Sequence, residues 1–275
     1  MKKIDKAAKL LAEQASLFWC PLCQKDIHVE GTSVICNDGH QFDFAKKGYV
    51  NFYGKPSPPD YDRTLFEARY ELIQQGMYDQ LHDKITEWLK QQFPEKLHIL
   101  DVGCGEGSHL KKILNKMGTD SRGIGIDIAK DGIITAAKYH DDVVWTVADL
   151  AKSPFQTNRF DSILNILSPA NYQEFNRLLT ANGAVVKVIP NQNYLIEIRD
   201  QLTDTTESYS NQETIEHFHK HFSKITTDTI HYQWKVPPDM QERLWIMTPL
   251  TWRRKQKEKF ATITIDLTVL IGQNE

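Results

Sequence analysis

Apolar positions in the central part of the chain alternate between two periods. Short runs rich in Val, Ile and Leu are separated by stretches of about ten residues with helical spacing. The strands predicted from these runs span residues 98–102, 122–127, 143–149, 160–166 and 184–189. This alternation predicts right-handed βαβ units that build a parallel sheet.

Two further strands are predicted near the end of the chain, at residues 230–235 and 263–271. In the second, apolar residues at the odd-numbered positions alternate with Thr264, Asp266 and Thr268, which predicts that one face is wetter. Five parallel strands closed by late strands indicate an α/β domain of the Rossmann type.

The first residues follow a different pattern. Apolar residues recur there at steps of four and three, at Ile4, Ala8, Leu11, Ala15 and Phe18. This spacing predicts an amphipathic helix over residues 1–19. Residues 20–54 carry turns and aromatic residues without a helical period, so we expect a module too small to bury a core unaided.

The small module is joined to the rest of the chain by a proline-rich segment. The sequence YGKPSPPDY holds three prolines in nine residues, which predicts an extended linker at residues 55–64. Helical spacing returns over residues 65–93 and is broken near Gly76, so two helices are expected to open a large domain spanning residues 65–275.

Composition and charge exclude several classes of protein. The chain has 275 residues, of which 40% are hydrophobic and 25% charged, as in ordinary globular proteins. There is no apolar run of the ~18 residues that a membrane span needs, and we expect a cytoplasmic protein without a membrane partner. The net charge of −3 provides no overall basic field, so a nucleic acid would have to meet a local patch.

Three of the four cysteines and one histidine have the spacing of a metal site. Cys20, Cys23, Cys36 and His40 form the pattern C-x2-C-x12-C-x3-H. Two pairs of ligands on tight turns can occupy the four corners of one tetrahedral zinc ion. Because no corner remains for water or substrate, we expect one structural Zn²⁺ per chain.

A glycine-rich segment follows the first predicted strand. HILDVGCGEGS places Asp101, Gly103 and Gly105 between an apolar strand and a helix, where glycine lets the backbone approach a ligand closely. The order G-x-G-x-G differs from the G-x-G-x-x-G of dinucleotide-binding proteins, and it favours S-adenosylmethionine over a nicotinamide cofactor. Cys104, inside the loop, is interpreted as a small buried residue.

Two acidic residues end the next two predicted strands. Asp127 can accept hydrogen bonds from both ribose hydroxyls of such a cofactor, and Asp149 is placed to meet its adenine amino group. Because the carboxyl ends of successive parallel strands lie at one edge of the sheet, these acids and the glycine loop predict a cofactor cleft.

Several segments together resemble one family, the large-subunit ribosomal RNA guanine-N(1) methyltransferases, which include members associated with macrolide resistance. The segments are CPLC, HQFDFAKKGYVN, EARYELIQQGMYDQL, DVGCGEG, GIDIAK, the Ser-Pro pair after NIL, and TPLTWR, and they cover nearly the whole chain. The resemblance implies a class I methyltransferase domain preceded by a zinc module that helps to recognise an rRNA hairpin.

The same resemblance assigns contacts with S-adenosylmethionine to Tyr78, Gly105, Glu106 and Tyr194. The chain departs from the family at two places: PPDYD stands where a Gly-Asp pair is common, and Tyr194 where His is common.

Methylation of guanine N1 sets requirements on the site. This nitrogen carries a proton and lies inside a base pair, so the base must be exposed and the proton removed. Asn165 and Ser168, in NILSP after the fourth strand, are the candidates for lining the target base. The sequence identifies no general base.

Contacts with RNA are expected from two local patches. Lys46 and Lys47 lie beside Tyr49 and Phe52, and cations interleaved with aromatic residues suit phosphate contact and base stacking. The basic run at residues 252–259 is the second patch. The zinc module would then select the RNA while the larger domain holds the cofactor.

The sequence is also compatible with two functions other than methylation of rRNA. One is a methyltransferase for a small molecule, with the zinc module acting as a lid. The other is a non-catalytic RNA-binding protein that keeps the cofactor fold. The sequence also leaves open which guanine is modified and whether the chain forms a homodimer.

Overall fold

A computed structural model describes residues 1–55, 61–93, 95–118, 120–201, 210–248, 251 and 258–274. The strands are β1 (Ile27–Glu30), β2 (Ser33–Cys36), β3 (Gln41–Asp43), β4 (Val50–Asn51), β5 (His98–Val102), β6 (Arg122–Asp127), β7 (Val144–Val147), β8 (Phe160–Ile166), β9 (Leu179–Pro190), β10 (Lys224–Lys235) and β11 (Thr262–Gln273). The helices are α1 (Lys3–Ala12), α2 (Arg63–Gln74), α3 (Asp79–Gln92), α4 (Ser108–Met117), α5 (Lys130–Tyr139), α6 (Tyr172–Leu178), α7 (Ile196–Asp200), α8 (Gln212–His219) and α9 (Gln241–Ile246).

The main sheet has the order β10-β11-β9-β8-β5-β6-β7-β4. The strands from β9 to β4 run parallel, while β11 and β10 are antiparallel. This arrangement confirms the predicted α/β class. Three strands have the predicted bounds, whereas β7 is shorter and β9, β10 and β11 are longer than expected.

The expected wetter face of β11 is wrong. Thr264, Asp266 and Thr268 are buried, although they are polar. The reason is that neighbouring residues supply their hydrogen bonds: Thr264 donates to Glu197 at 2.6 Å, and Asn191 donates to Asp266 at 2.9 Å. The edge strand β10 carries the exposed positions instead.

The single helix expected over residues 1–19 is also wrong in extent. Helix α1 ends at Ala12, a short 3-10 turn follows at Ala15–Leu17, and Phe18 is extended. Phe18 forms a β-bridge with Phe155 and is fully buried there, so contact with the main domain ends the helical stretch.

The small module is built on the antiparallel sheet β1-β2-β3. Directly after it, β4 pairs in parallel with β7 and forms an edge of the main sheet. Phe18, Phe44 and Phe52 share one apolar core with Phe155 and Val144. The module is therefore packed into the core of the larger domain.

Two helices connect this region to the main sheet, as expected. Asp62 caps α2 by accepting a hydrogen bond from the Leu65 amide at 2.9 Å. Gly76 separates α2 from α3 with φ of +84°, a conformation that glycine adopts without strain. Among the described helices, none has the length and apolar character that a membrane span requires.

Candidate functional site

Three cysteines and one histidine meet in the small module. The ligand atoms of Cys20, Cys23, Cys36 and His40 all lie within 4.8 Å of one another. The Cys23 and Cys36 sulfurs are 3.7 Å apart, and the Cys36 sulfur is 3.4 Å from His40 Nδ1. A tetrahedron of sulfur ligands about 2.3 Å from zinc has edges of about 3.8 Å, so this donor set fits one zinc ion.

Tight turns present these ligands. After Cys20 the chain reverses through Gln24, which adopts a left-handed φ of 58° and donates its amide to the Cys20 carbonyl at 2.8 Å. After Cys36 the amide of Gly39 donates to the Cys36 carbonyl at 2.8 Å. The His40 amide points to the Cys36 sulfur at 3.3 Å, which orients that sulfur toward the cluster.

A cleft of about 1280 Å³ opens at the carboxyl ends of the parallel strands. The glycine loop between β5 and α4 forms one wall. A Cβ atom at Gly103 would lie 2.4 Å from Ser168 Oγ, and one at Gly107 would lie 2.3 Å from the Trp145 ring. Packing therefore requires glycine at these two positions, and at Gly103, which also lines the cleft, the backbone is open to a ligand.

Asp127, at the end of β6, connects the glycine loop to the next helix. Its two carboxylate oxygens accept hydrogen bonds from the amides of Gly105 at 2.8 Å and Ala129 at 2.7 Å. Burial raises the pKa of Asp127, and these two amides oppose that rise. Since each oxygen has a second lone pair, the carboxylate can also accept from a ligand in the cleft, which Asp127 lines.

Asp149 follows β7 and also lines the cleft. It caps a 3-10 turn by accepting the Ala151 amide at 2.9 Å. The other oxygen of this carboxylate remains available to a donor such as an adenine amino group.

Two other acids, Asp101 in β5 and Glu106 in the glycine loop, are buried in different places. Glu106 lines the cleft and accepts hydrogen bonds from the amide and hydroxyl of Ser108, while burial raises its pKa to about 7. Asp101 is 1% exposed and is not part of the cleft wall. Burial and the charge of Asp127 raise its pKa well above the ordinary value.

Tyr78 and Tyr194 lie together on the cleft wall. Their hydroxyl groups share a hydrogen bond of 2.5 Å. Burial raises the pKa of both, so both remain phenols, and the pair has one O–H group left to donate to a ligand.

Asn165 and Ser168 occupy different layers of the site. Ser168 lines the cleft, but Asn165 is fully buried behind it and donates to Ser168 Oγ at 2.7 Å. Between them Leu167 has φ of 52°, a conformation that costs a non-glycine residue about 1–3 kcal/mol. Asn165 therefore holds the loop in this strained shape, and Ser168 is the residue that a ligand can touch.

The sequence analysis missed Lys187, a lone cation in the apolar run VVKVI of β9. Lys187 lines the cleft and is 4% exposed. Its Nζ donates to Asn165 Oδ1 at 2.6 Å and to the Ser168 carbonyl. A charged residue inside an otherwise apolar strand was the signal that could have identified it.

The expected RNA patches have different outcomes. Lys46 and Lys47 are exposed, but Tyr49 and Phe52 are buried, so the expectation that these two rings stack on bases is wrong. Both rings are used in the packing between the small module and the main sheet. In the second patch, residues 252–257 lie outside the described part of the chain.

Family models match both parts of the chain. The zinc-ribbon family described as RlmA, N-terminal, matches residues 18–53, and a family described as methyltransferase domain matches residues 99–187. The first match contains the four clustered ligands, and the second runs from β5 to Lys187 and includes the glycine loop.

Two relatives are similar over most of their length. The "23S rRNA (guanine(748)-N(1))-methyltransferase" of Streptomyces fradiae is 26% identical, and the alignment covers 87% of each chain. The "Putative 23S rRNA (guanine-N(1)-)-methyltransferase YxjB" of Bacillus subtilis is 42% identical, over 94% of this chain and 97% of the relative. This chain therefore belongs to the family of 23S rRNA (guanine-N(1)-)-methyltransferases.

Proposed function

We propose that this protein transfers a methyl group from S-adenosylmethionine to N1 of a guanine in a 23S rRNA hairpin. The observation that carries the proposal is that one chain of this family joins a zinc-ribbon ligand cluster to a glycine- and acid-lined cleft.

The cleft suits this cofactor in size and in chemistry. Its volume of about 1280 Å³ exceeds the ~300–1,000 Å³ of ordinary small-molecule sites, which leaves room for a nucleobase beside the cofactor. Asp127 would accept hydrogen bonds from the ribose hydroxyls and Asp149 from the adenine amino group. Tyr78 and Tyr194 share one hydrogen bond, so one of the two hydroxyls would donate to the amino-acid end. When bound, S-adenosylmethionine supplies an electrophilic methyl group and a sulfide leaving group.

The target guanine has to leave its base pair to enter such a cleft. Ser168 would meet it beside the glycine loop, because Ser168 packs against Gly103, and Asn165 would hold the Ser168 loop in place. Exposed Lys46 and Lys47 would contact phosphates of the hairpin. With four protein ligands, the zinc ion would stabilise the ribbon and take no part in the chemistry.

Methylation of rRNA from a strain that lacks this protein tests the proposal. A methyl group on N1 blocks Watson–Crick pairing, so reverse transcription should stop beside one guanine after incubation with the protein and S-adenosylmethionine. The proposal fails if 23S rRNA and 50S subunits both remain unmethylated while the protein binds the cofactor.

The same assay separates the alternatives. Transfer of label to metabolite extracts and none to RNA would indicate a small-molecule methyltransferase. Cofactor binding without turnover on either would indicate a non-catalytic protein. The cytoplasmic location expected from the sequence agrees with a ribosomal substrate. Light scattering measures whether the chain forms a homodimer.

A further inference from the structure

Lys187 is a buried amine with an unusual set of neighbours. Asn165 is its direct partner on the adjacent strand β8, and both side chains lie beneath the Ser168 loop. In the described part of the chain, Asn165 Oδ1 and the Ser168 carbonyl are the acceptors of its Nζ, and no carboxylate pairs with it. A lysine in such a place is held by two neutral oxygens.

We propose that Lys187 is the general base that removes the N1 proton of the target guanine. This inference rests on the proposed function and supplies the base that the sequence did not identify.

The hydrogen-bond count favours the neutral amine. An amine has two N–H groups and one lone pair, whereas an ammonium has three N–H groups. The two acceptors match the two N–H groups of the amine, and the lone pair remains for a proton. Burial lowers the pKa of Lys187 to about 8, because water no longer stabilises the charged form.

Other titratable groups line the same cleft, but none of them contributes to the shift in the pKa of Lys187. They are Tyr61, Arg69, Tyr78, Cys104, Glu106, His109, Asp127, Asp149, Tyr172, Tyr194, Glu213 and His217. Burial is the cause of the lowered pKa of Lys187, with no charged neighbour contributing.

Lys187 is also connected to the glycine loop through Ser168. Its acceptor Ser168 packs against Gly103, since a Cβ atom there would be 2.4 Å from Ser168 Oγ. Lys187, Ser168 and Gly103 thus form a continuous path from the amine to the glycine loop. Because Lys187 and Gly103 both line the cleft, a guanine bound there beside the glycine loop can contact the amine.

The proposed step balances in protons and electrons. The N1–H electron pair stays on N1 and forms the new N1–CH3 bond, and the pair of the broken S–CH3 bond goes to sulfur. The proton passes to the Lys187 lone pair and afterwards to solvent.

Two substitutions distinguish a base from a structural cation. Lys187→Met removes the amine, and Lys187→Arg keeps a charge that cannot be deprotonated in a protein. We expect kcat on 23S rRNA to fall about 10²–10⁴-fold in both, while calorimetry finds S-adenosylmethionine affinity within about threefold of wild type. Lys84→Met, at an exposed ion pair with Asp228, is the matched control and should keep full activity.

The pH profile gives a second readout. In the wild-type protein kcat should rise with pH and level off above about 8, where Lys187 is neutral. In Lys187→Met the residual rate should continue to rise, because N1 must then ionise unaided. NMR of lysine side chains in the wild-type protein, assigned with Lys187→Arg, measures the same titration without turnover.

The outcomes are distinct. Activity within about fivefold of wild type in either variant would overturn the proposal, as would an amine that stays charged in the NMR titration up to pH 9.5. If Lys187→Met does not fold, Lys187→Arg and the titration of the wild-type protein still test whether Lys187 is the general base. An inactive wild-type protein would contradict the proposed function instead.

Discussion

Asp127 illustrates how one side chain in this cleft serves two roles. Its carboxylate orders the glycine loop through Gly105 and the start of α5 through Ala129, and its remaining lone pairs face the cleft. The residue could be predicted from its place at the carboxyl end of a strand. Its bonds to the two amides could not, because they depend on the conformation of the loops.

Replacement of Asp127 tests the cofactor role. Asp127→Ala should weaken S-adenosylmethionine binding by about 1–3 kcal/mol, because charge-assisted hydrogen bonds to the ribose are lost. Asp127→Asn keeps one acceptor oxygen and should lose less. Calorimetry measures both, with Asp142→Ala, an exposed residue paired to Lys111, as control. Unchanged affinity in Asp127→Ala would remove this residue from the cofactor site.

Glu106 should make folding stability depend on pH. Burial raises its pKa from 4.5 in the ordinary residue to about 7. An acid with a raised pKa loses folding stability as pH increases between these values, because the unfolded chain releases its proton first. Below pH 4.5 the effect is absent, and above pH 7 it is complete.

Glu106→Gln removes this ionisation and keeps an acceptor for Ser108. Relative to wild type, the variant without cofactor should become more stable between pH 5 and pH 8, by at most about 3 kcal/mol. Thermal unfolding at both pH values measures this change. In the control Glu87→Gln, at an exposed residue, the difference in stability from wild type should be the same at pH 5 and pH 8. If Glu106→Gln also differed from wild type by the same stability at both pH values, Glu106 would not be held in its neutral form.

At the scale of elements, the bounds of strands were predicted correctly where a single spacing of apolar residues dominates the segment. Strands β5, β6 and β8 are rich in Ile, Leu and Val and are buried on both faces, so their bounds follow from the sequence. The prediction failed where tertiary contacts override the period. Polar residues of β11 are buried because Glu197 and Asn191 supply their hydrogen bonds, and the helical conformation does not extend to residue 19 because Phe18 pairs with Phe155.

The zinc ribbon is expected to need its metal in order to fold, although it also shares an apolar core with the main domain. Purified protein should contain about one zinc per chain, and Cys23→Ser should lose it and unfold residues 20–43, because structural zinc contributes ~10–16 kcal/mol of apparent binding energy. Elemental analysis measures the metal, and hydrogen exchange locates the unfolding. Lys25→Ala, at the exposed ion pair with Asp38 on the same module, should keep its zinc. Protein purified without chelator that holds much less than one zinc would contradict the assignment.

At the scale of the whole molecule, the zinc ribbon and the main domain are connected by more than a linker. Strand β4 completes an edge of the main sheet, and Phe52 is buried in a core that both parts share. Deletion of residues 1–54 would remove this strand together with the ribbon. Surface substitutions are therefore the sharper test of the prediction that the ribbon selects the RNA while the cleft holds the cofactor.

Lys46 and Lys47 provide this test, because both are exposed on the turn before β4. Each phosphate contact releases counterions, so loss of two contacts should lower the slope of log affinity against log salt by about 2. We expect Lys46→Ala/Lys47→Ala to raise KM for 23S rRNA at least tenfold at physiological salt, with S-adenosylmethionine affinity unchanged.

The control for that double variant must remove equal charge elsewhere. Lys90 and Lys96 are exposed beside the amino end of β5, at the opposite end of the sheet from the cleft, so Lys90→Ala/Lys96→Ala should leave KM and the salt slope unchanged. A comparable loss in both variants would mean that net charge alone governs binding. A normal KM in Lys46→Ala/Lys47→Ala would place RNA recognition on other surfaces, with the basic run at residues 252–259 the next to test.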